Sequence, residues 1–339
     1  MQHLRARSLL LGTDAKVGKR MLEKPKCPVI ALEEHYWDQE LAAHAEAVER
    51  NPKIAERLLD LGALRLKEMD EAGVDVQVLS HGSPSAQQLA GADAAAIVER
   101  VNDRLAAFIK TRPDRFAAFG ALATCDPAAA ANELERIVTR HGFKGAMIHG
   151  LTNGRFIDDK KFWPIFERAA KLDVPIYLHP SLPHPAVMDA YYKDYLKEYP
   201  MVIRAAWGFT VETATQAIRM VLSGVFDAYP DLKIILGHLG ETLPFLVWRI
   251  DQALSRPGQK TISFRDVFCG HFYLTTSGNF SNPALLCCVQ EVGVDRLMFA
   301  VDWPFVQNGL ATGWVDTMPL CEEDKIKILS GNARRLLRM

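Results

Sequence analysis

The chain has 339 residues, of which 49% are hydrophobic and 24% are charged, an ordinary composition for a globular protein that excludes disorder as its overall state. Its formal net charge of -1 gives no electrostatic reason to expect nucleic acid or an anionic membrane as a partner, so a small molecule is the expected ligand. The six cysteines have no paired spacing and no apolar run is long enough to cross a membrane, which predicts a cytoplasmic protein with reduced thiols.

The opening stretch of the chain is basic, with no acidic residue before Asp14. Its apolar run at residues 9–11 is far shorter than the apolar core of a secretory signal peptide, which takes roughly 7 to 15 residues. We therefore expect residues 1–28 to be an N-terminal extension and residues 29–339 to form a single domain.

From residue 28 onwards, short apolar runs alternate with longer amphipathic stretches, a pattern typical of repeated βα units around a parallel sheet. The predicted strands span residues 28–32, 74–80, 116–122, 143–149, 175–179, 233–237, 272–277 and 297–301. The predicted helices span residues 55–72, 93–111, 127–141, 160–172, 212–226, 242–254, 283–292 and 322–337. Eight such pairs favour an α/β fold of the closed (β/α)8 type, a TIM barrel, over an open doubly wound sheet.

Side chains that bind metals or transfer protons follow four of these predicted strands. Glu33 and His35 follow the first strand, His179 ends the fifth, His238 follows the sixth and Asp302 follows the eighth. In a barrel enzyme the carboxyl ends of all strands meet at one mouth, where the catalytic residues lie. Each residue alone has an ordinary structural explanation, such as a helix cap or a hydrogen-bonded core histidine. Together they predict a metal site, and a mixture of carboxylates and imidazoles suits Zn2+ or Mn2+.

Six motifs, in this order along the chain, carry a resemblance to a known family. They are Leu32-Glu33-Glu34-His35, Tyr177-Leu178-His179-Pro180, Leu236-Gly237-His238-Leu239-Gly240-Glu241, Trp248-Arg249-Ile250-Asp251, Thr276-Ser277-Gly278-Asn279 and Asp302-Trp303-Pro304-Phe305. These motifs resemble those of the amidohydrolase-related aromatic acid decarboxylases, with the γ-resorcylate, 2,3-dihydroxybenzoate and 5-carboxyvanillate decarboxylases nearest. The resemblance runs from about Ile30 to the C-terminus and implies a barrel of the amidohydrolase type.

The resemblance implies a set of metal ligands and an acid–base pair. Glu33, His35, His179 and Asp302 would hold one divalent ion, Zn2+ or Mn2+. His238 and Glu241 would form a paired acid–base group beside it. Glu33 also places the chain with the hydroxybenzoate enzymes, because the aminocarboxymuconate semialdehyde decarboxylases start with His-x-His at this point.

The resemblance implies further contacts with the substrate. Arg249 resembles an arginine that reaches the substrate carboxylate from a neighbouring subunit, and Arg65 resembles a second carboxylate contact. The alternative for both is an ordinary cation on a helix surface. Phe305 stands where the carboxyvanillate enzymes carry a tyrosine, which disfavours recognition of a second polar ring substituent there. His149 either contacts the substrate or caps the fourth strand.

These implications predict a carboxy-lyase, a homodimer or homotetramer, that removes CO2 from a small ortho-hydroxybenzoate-type acid without oxidation and leaves a phenol. Asp302 is the predicted proton donor to the ring carbon, with His238 and Glu241 assisting the transfer. The alternative is metal-dependent hydrolysis of a lactone or an amide, in which the product keeps every carbon. A non-catalytic ligand-binding barrel is disfavoured, because it has little use for a paired histidine and glutamate.

Overall fold

A computed structural model of the chain describes residues 26–44 and 51–339. The predicted N-terminal extension, residues 1–28, falls almost wholly outside these residues and stays a prediction. Within the described ranges, no helix is both long and apolar enough to cross a membrane.

Eight strands of the described residues, all paired in parallel, form the wall of a barrel. They are β1 Ile30–Tyr36, β2 Val76–His81, β3 Phe116–Ala118, β4 Ala146–His149, β5 Ile176–His179, β6 Ile234–Leu236, β7 Phe272–Thr275 and β8 Leu297–Met298. Strands β1 to β3 and strands β4 to β8 pair in chain order. Single parallel bridges join the two groups, Gly120 with Ala146 at one seam and Glu34 with Trp303 at the other. This (β/α)8 arrangement confirms the predicted fold class and the eight predicted strands.

Helices alternate with the strands along the chain. In the described ranges the α-helices are α1 Gln39–Ala42, α2 Pro52–Leu59, α3 Ala63–Ala72, α4 Ala94–Ile109, α5 Pro127–His141, α6 Trp163–Leu172, α7 Pro185–Val187, α8 Gly208–Ser223, α9 Val225–Ala228, α10 Leu243–Leu254, α11 Phe264–His271, α12 Asn282–Val292, α13 Asn308–Val315, α14 Glu322–Ile326 and α15 Asn332–Leu337. Turns of 3-10 helix span Ser85–Gln88, Lys160–Phe162, Pro200–Ile203 and Val294–Arg296, and π-helical turns span Met188–Tyr192 and Lys327–Gly331. Helix α5 has its predicted bounds, because Asp126 caps its first turn and Gly142, at a φ of 72°, ends it.

The helix predicted over residues 55–72 is instead two helices, α2 and α3. The chain breaks at Asp60, whose Oδ1 accepts hydrogen bonds from the backbone N–H groups of Gly62 at 2.8 Å and Arg65 at 3.3 Å. A short polar side chain that bonds to the backbone in this way favours a turn and a new helix start over a continued helix. Apolar residues continue through the break, so periodicity did not reveal it.

The barrel interior is filled by apolar side chains that alternate along the strands. This buried set includes Ile30, Leu32, Val78, Phe119, Met147, Tyr177, Ile235, Met298 and Ala300. A larger apolar layer packs between the strands and the surrounding helices. The interior is therefore a packed core, and polar groups are confined to the ends of the barrel.

A bulge in β1 decides which of its side chains face the interior. Ala31 pairs with Gln77 and Glu34 with Leu79, so β1 has one residue more than β2 over this stretch. Because side chains alternate between the two faces of a strand, one extra residue moves the inward position from Leu32 to Glu33 and His35. The strand was predicted to end at residue 32 but continues to Tyr36, so Glu33 and His35 lie within it.

Candidate metal centre

Four polar side chains from three parts of the barrel wall converge at the carboxyl ends of the strands. They are Glu33 and His35 of β1, His179 at the end of β5, and Asp302 in the segment after β8. Each offers one nitrogen or oxygen, and the four atoms lie within 4.8 Å of one another. The structure thus brings together the four residues that were predicted as metal ligands.

Two of the converging atoms, Glu33 Oε1 and His35 Nε2, are buried without a hydrogen-bond partner among the described residues. His179 Nε2 lies 3.1 Å from Glu33 Oε1, and His35 Nε2 lies 3.3 Å from Asp302 Oδ1. Buried polar atoms are nearly always satisfied, and a cation between these groups would satisfy them together. Carboxylate oxygens and imidazole nitrogens in this number form a donor set that suits Zn2+ or Mn2+.

Neighbouring polar groups hold the converging side chains in place. The Tyr177 hydroxyl donates to Glu33 Oε2, and Ser80 Oγ lies 3.2 Å from His35 Nδ1. His179 Nδ1 lies 2.7 Å from the backbone oxygen of Pro180, which accepts from it. Because Nδ1 of His179 carries the hydrogen of this bond, Nε2 keeps its lone pair, and this nitrogen faces the cluster as a possible metal ligand. Neither Tyr177 nor Ser80 was predicted as a site residue. Tyr177 is two positions before His179 and so shares its face of β5, which is the signal that could have indicated it.

Burial and the neighbouring charged groups together shift the pKa values of Glu33, His35 and Asp302. Burial raises the pKa of Glu33, but the imidazoles of His238 and His179 outweigh burial and lower it well below its usual range. Burial lowers the pKa of His35. Burial likewise raises the pKa of Asp302, but the nearby imidazoles of His238 and His35 outweigh burial and lower the pKa. Ionised carboxylates and a neutral His35 are the forms that bind a cation.

His238 and Glu241 lie beside this cluster in a left-handed turn. Residues 238–242 all have positive φ, between 51° and 78°, a conformation that costs energy for residues other than glycine. The turn brings Glu241 Oε1 to 2.7 Å from His238 Nδ1. His238 Nε2 then lies 3.7 Å from Glu33 Oε1 and 3.8 Å from Asp302 Oδ2. Burial alone lowers the pKa of His238, but Glu241 and Glu33 outweigh it and raise the pKa well above its ordinary value.

Two of the predicted substrate contacts are buried. Arg65 is fully buried, and its Nη2 donates to the backbone oxygen of His35 at 2.5 Å. The reason is that α3 packs on the outer side of the barrel wall, where Arg65 also bonds to Gln77 of β2. His149 is buried too, with its Nδ1 2.9 Å from Nδ1 of His179. Arg65 therefore supports β1 from the outer side of the wall. His149 lies beside His179 at the carboxyl end of the neighbouring strand, and its predicted contact with the substrate stays a prediction.

The other two predicted substrate contacts are exposed. The ring of Phe305 lies 5.8 Å from the ring of His35, centroid to centroid, and Phe305 is 43% exposed. Arg249 lies on α10 beside the exposed Trp248, is itself exposed and forms no ion pair with a described residue. Phe305 thus lines the mouth beside the cluster, whereas Arg249 is free to meet another molecule.

A parallel barrel with convergent carboxylates and imidazoles at the carboxyl ends of its strands defines a metal-dependent barrel enzyme. The amidohydrolase family matches residues 30–339, and the chain belongs to this family. Over 327 residues it is 38% identical to the γ-resorcylate decarboxylase of Polaromonas sp. (strain JS666 / ATCC BAA-500), covering 91% of this chain and 98% of the relative.

Two solved structures share the fold. The dihydroxybenzoic acid decarboxylase of Polaromonas sp. JS666, with bound manganese and the inhibitor 2-nitroresorcinol, has a TM-score of 0.85 at 39% identity and covers 92% of this chain and 97% of its own. The 5-carboxyvanillate decarboxylase of Sphingomonas paucimobilis has a TM-score of 0.84 at 34% identity, with 92% and 99% covered. These matches confirm the predicted family, barrel and carboxy-lyase class, and they favour decarboxylation over the hydrolytic alternative.

Proposed function

We propose that this protein is a metal-dependent, non-oxidative decarboxylase of an ortho-hydroxybenzoate-type acid, with γ-resorcylate (2,6-dihydroxybenzoate) as the first candidate. The observation that carries the proposal is the set of buried donor atoms that converge at the barrel mouth. It is supported by relatives named as decarboxylases of hydroxylated aromatic acids, one of which holds manganese.

The residues that would hold one Zn2+ or Mn2+ ion are Glu33, His35, His179 and Asp302. When bound there, such an ion would supply positive charge that stabilises the negative charge of the substrate. The chain contributes a set of ligands that is already oriented, because Tyr177 fixes Glu33 and the Pro180 carbonyl fixes His179.

Asp302 is the residue that we propose as proton donor to the ring carbon bearing the carboxylate. One of its oxygens faces His35 and the other faces His238. Protonation of that carbon interrupts the aromatic system, so the bond to the carboxylate breaks, its electron pair returns to the ring and CO2 leaves. Because Asp302 is ionised at rest, we propose that His238, held by Glu241, first supplies the proton that Asp302 passes to the ring carbon, and that His238 takes up another proton from solvent after each turnover.

For the substrate, we propose contacts with Phe305 and Arg249. An apolar ring at the mouth provides a wall for a flat aromatic acid, and a guanidinium suits a carboxylate. The exposed face of α10 carries Phe245, 82% exposed, and Trp248, 68% exposed, aromatic residues of the kind enriched at protein interfaces. We therefore propose a homodimer or homotetramer in which Arg249 reaches the site of a neighbouring subunit.

We also propose a cytoplasmic location. The cysteines are all free thiols, and they include the adjacent pair Cys287 and Cys288 on α12. Free thiols persist in reducing compartments, which supports this location.

The proposal is tested with purified protein loaded with Mn2+ or Zn2+ and a panel of hydroxybenzoic acids with and without a hydroxyl next to the carboxylate. We expect CO2 and a phenol in equal amounts from the ortho-hydroxy acids alone. The His179→Ala protein should lose bound metal and activity together while keeping its fold. Release of a new acid from lactones or amides, with no CO2 from any acid of the panel, would instead assign the site to hydrolysis.

A further inference from the structure

A second set of buried polar side chains lies behind the metal centre, in the layer between the barrel wall and α3. Glu34, Arg65 and Gln77 are each fully buried. The bulge in β1 turns Glu34 to the face opposite Glu33 and His35. Charged groups are rarely buried this deeply without partners, so the contacts of this set decide what it does.

Hydrogen bonds join the three side chains in a row. Arg65 Nη1 donates to Gln77 Oε1 at 3.1 Å, and Gln77 Nε2 donates to Glu34 Oε2 at 3.2 Å. The other oxygen, Glu34 Oε1, accepts from the backbone N–H of Val301 at 2.9 Å. The neutral amide of Gln77 therefore bridges the buried guanidinium of Arg65 and the buried carboxyl group of Glu34.

Both ends of the row reach the backbone next to predicted metal ligands. At one end, Arg65 Nη2 donates to the backbone oxygen of His35 at 2.5 Å. At the other end, Val301 directly precedes Asp302 in the chain. The Arg65 guanidinium also lies over the ring of Trp303, 3.9 Å from its centroid, on the other side of Asp302. The row thus connects the strand that carries His35 with the segment that carries Asp302.

We propose that Arg65, Gln77 and Glu34 are positioning residues that fix His35 and Asp302 at the spacing a divalent ion requires. This inference rests on the proposed function, because it assigns a role toward the metal of that site. Substituting any one of the three leaves a buried charge or amide without its partner and frees the β1 end from the Asp302 segment. The expected consequence is weaker and altered metal binding, beyond any loss of stability.

The test compares metal binding by the wild-type protein and by Gln77→Leu, which keeps the side chains of Arg65 and Glu34 but removes the amide that bridges them. We expect the Mn2+ dissociation constant, measured from free Mn2+ by electron paramagnetic resonance, to rise roughly tenfold to a hundredfold. The visible absorption spectrum of the Co2+-loaded protein should change as well, because it depends on ligand geometry. If Gln77→Leu does not fold, Arg65→Lys is the alternative variant. It keeps the positive charge but lacks the planar guanidinium that donates to His35 and Gln77 at the same time.

The matched control is Asn102→Leu on α4. Asn102 is fully buried and bonds to both the N–H and the oxygen of Ala121 at 3.0 Å, without contacting the metal centre's residues. This variant should unfold at a lower temperature but keep the wild-type Mn2+ affinity and Co2+ spectrum. If Gln77→Leu and Arg65→Lys behave in the same way as this control, the positioning role is wrong. A wild-type protein that binds no divalent ion would instead overturn the proposed function itself.

Discussion

Asp302 has one oxygen toward His35 and the other toward His238, so a single carboxylate is placed both to bind a cation and to pass on a proton. Decarboxylation in D2O places one deuterium on the ring carbon that lost the carboxylate, whereas hydrolysis does not, and the substitution of Asp302 then tests which residue donates it. Asp302→Asn is expected to lower turnover by about a hundredfold or more, because an amide does not supply that proton. Product NMR and initial rates measure the two outcomes.

The amide is also a weaker metal ligand than the carboxylate, so metal content has to be measured on the same sample. An Asp302→Asn protein that holds metal and substrate but does not turn over supports the proton-donor role. Turnover near the wild-type rate by the metal-loaded variant would transfer that role to His238.

Gly237 allows the close approach of Glu33 to the end of β6. A Cβ atom added at Gly237 would lie 2.7 Å from Glu33 Oε2 and 2.9 Å from Ser277 Oγ. Gly237→Ala is therefore expected to displace the Glu33 carboxylate, to weaken Mn2+ binding roughly tenfold or more and to cost about 1 to 3 kcal/mol of stability. Isothermal titration with Mn2+ and chemical denaturation measure these two effects.

Gly313→Ala is the control for this prediction, since a Cβ there meets no atom within 4 Å and the residue lies inside α13. It should stabilise the protein by about 0.5 to 1 kcal/mol and leave Mn2+ binding unchanged. Equal Mn2+ affinity in both variants would contradict the close packing assigned to Gly237.

The convergence of Glu33, His35, His179 and Asp302 was predictable from the sequence, because carboxylates and imidazoles at the ends of several strands rarely occur together without a shared site. Tyr177 was not predicted as a site residue, since an aromatic residue in an apolar strand is ordinary core material until its hydroxyl is seen to meet Glu33. The burial of Arg65 was not predicted either. A sequence motif indicates which residue type occupies a position, but it does not indicate on which side of the barrel wall the side chain packs.

At the scale of one element, α8 buries a carboxylate against the loop that follows β5. Glu212 is 6% exposed, and its Oε1 has no hydrogen-bond partner among the described residues. Burial raises the pKa of Glu212 to about 7, although the His184 backbone N–H and the charge of Arg219 favour the carboxylate. A raised carboxyl pKa means that the folded state binds a proton more tightly than the unfolded state.

The stability contributed by this proton is fully present below the unfolded pKa near 4.5 and is lost as the pH rises through about 7. Glu212→Gln removes the ionisation, so it should match the wild type at pH 5 and exceed its stability at pH 8 by on the order of 1 to 2 kcal/mol, after allowance for solvent screening. Urea denaturation at the two pH values measures the difference. If Glu212→Gln changes the free energy of unfolding by the same amount at pH 5 and at pH 8, the protonation state of Glu212 does not change between these pH values, which would contradict the raised pKa.

Element boundaries were predicted well where a cap defines them and poorly where tertiary contacts decide. Helix α5 begins at the residue after Asp126 as expected, since its cap is local. The bulge in β1 depends on pairing with β2, a strand some 45 residues away, as with Glu34 and Leu79. The pattern at Glu33 and His35 indicated a shared face, but no local signal located the extra residue that makes that face the inner one.

At the scale of the whole molecule, the proposed sharing of Arg249 between subunits predicts that two inactive variants complement each other. An Arg249→Ala chain and an Asp302→Asn chain should each be nearly inactive, whereas mixed dimers contain one site with both groups intact. With random exchange of equal amounts, about a quarter of wild-type activity should return. Light scattering gives the assembly state. A fully active monomer, or mixed dimers without activity, would contradict the shared site.

Three of the four proposed metal ligands lie on the two sides of one seam of the barrel, Glu33 and His35 on β1 and Asp302 beyond β8. Few backbone bonds close this seam, among them Leu32 N–H to Phe299 oxygen at 3.2 Å and Asp302 N–H to Glu33 oxygen at 3.0 Å. An ion bound across it by the folded state alone stabilises that state by about 2.7 kcal/mol at a hundredfold excess over its dissociation constant. Removal of metal with a chelator is therefore expected to lower the unfolding temperature, and Mn2+ should restore it in the wild type but not in His179→Ala.

Hydrogen exchange separates local closure from a general gain in stability. The seam between β3 and β4 serves as an internal control, since Gly120 N–H and Met147 N–H bond across it at 3.0 Å without any of the four ligands. Mn2+ should slow the exchange of the Leu32 and Asp302 amides more than that of the Gly120 and Met147 amides, because the ion opposes local opening of the first seam only. Equal slowing at both seams would mean that the barrel opens as one unit and that the ion acts on global unfolding alone.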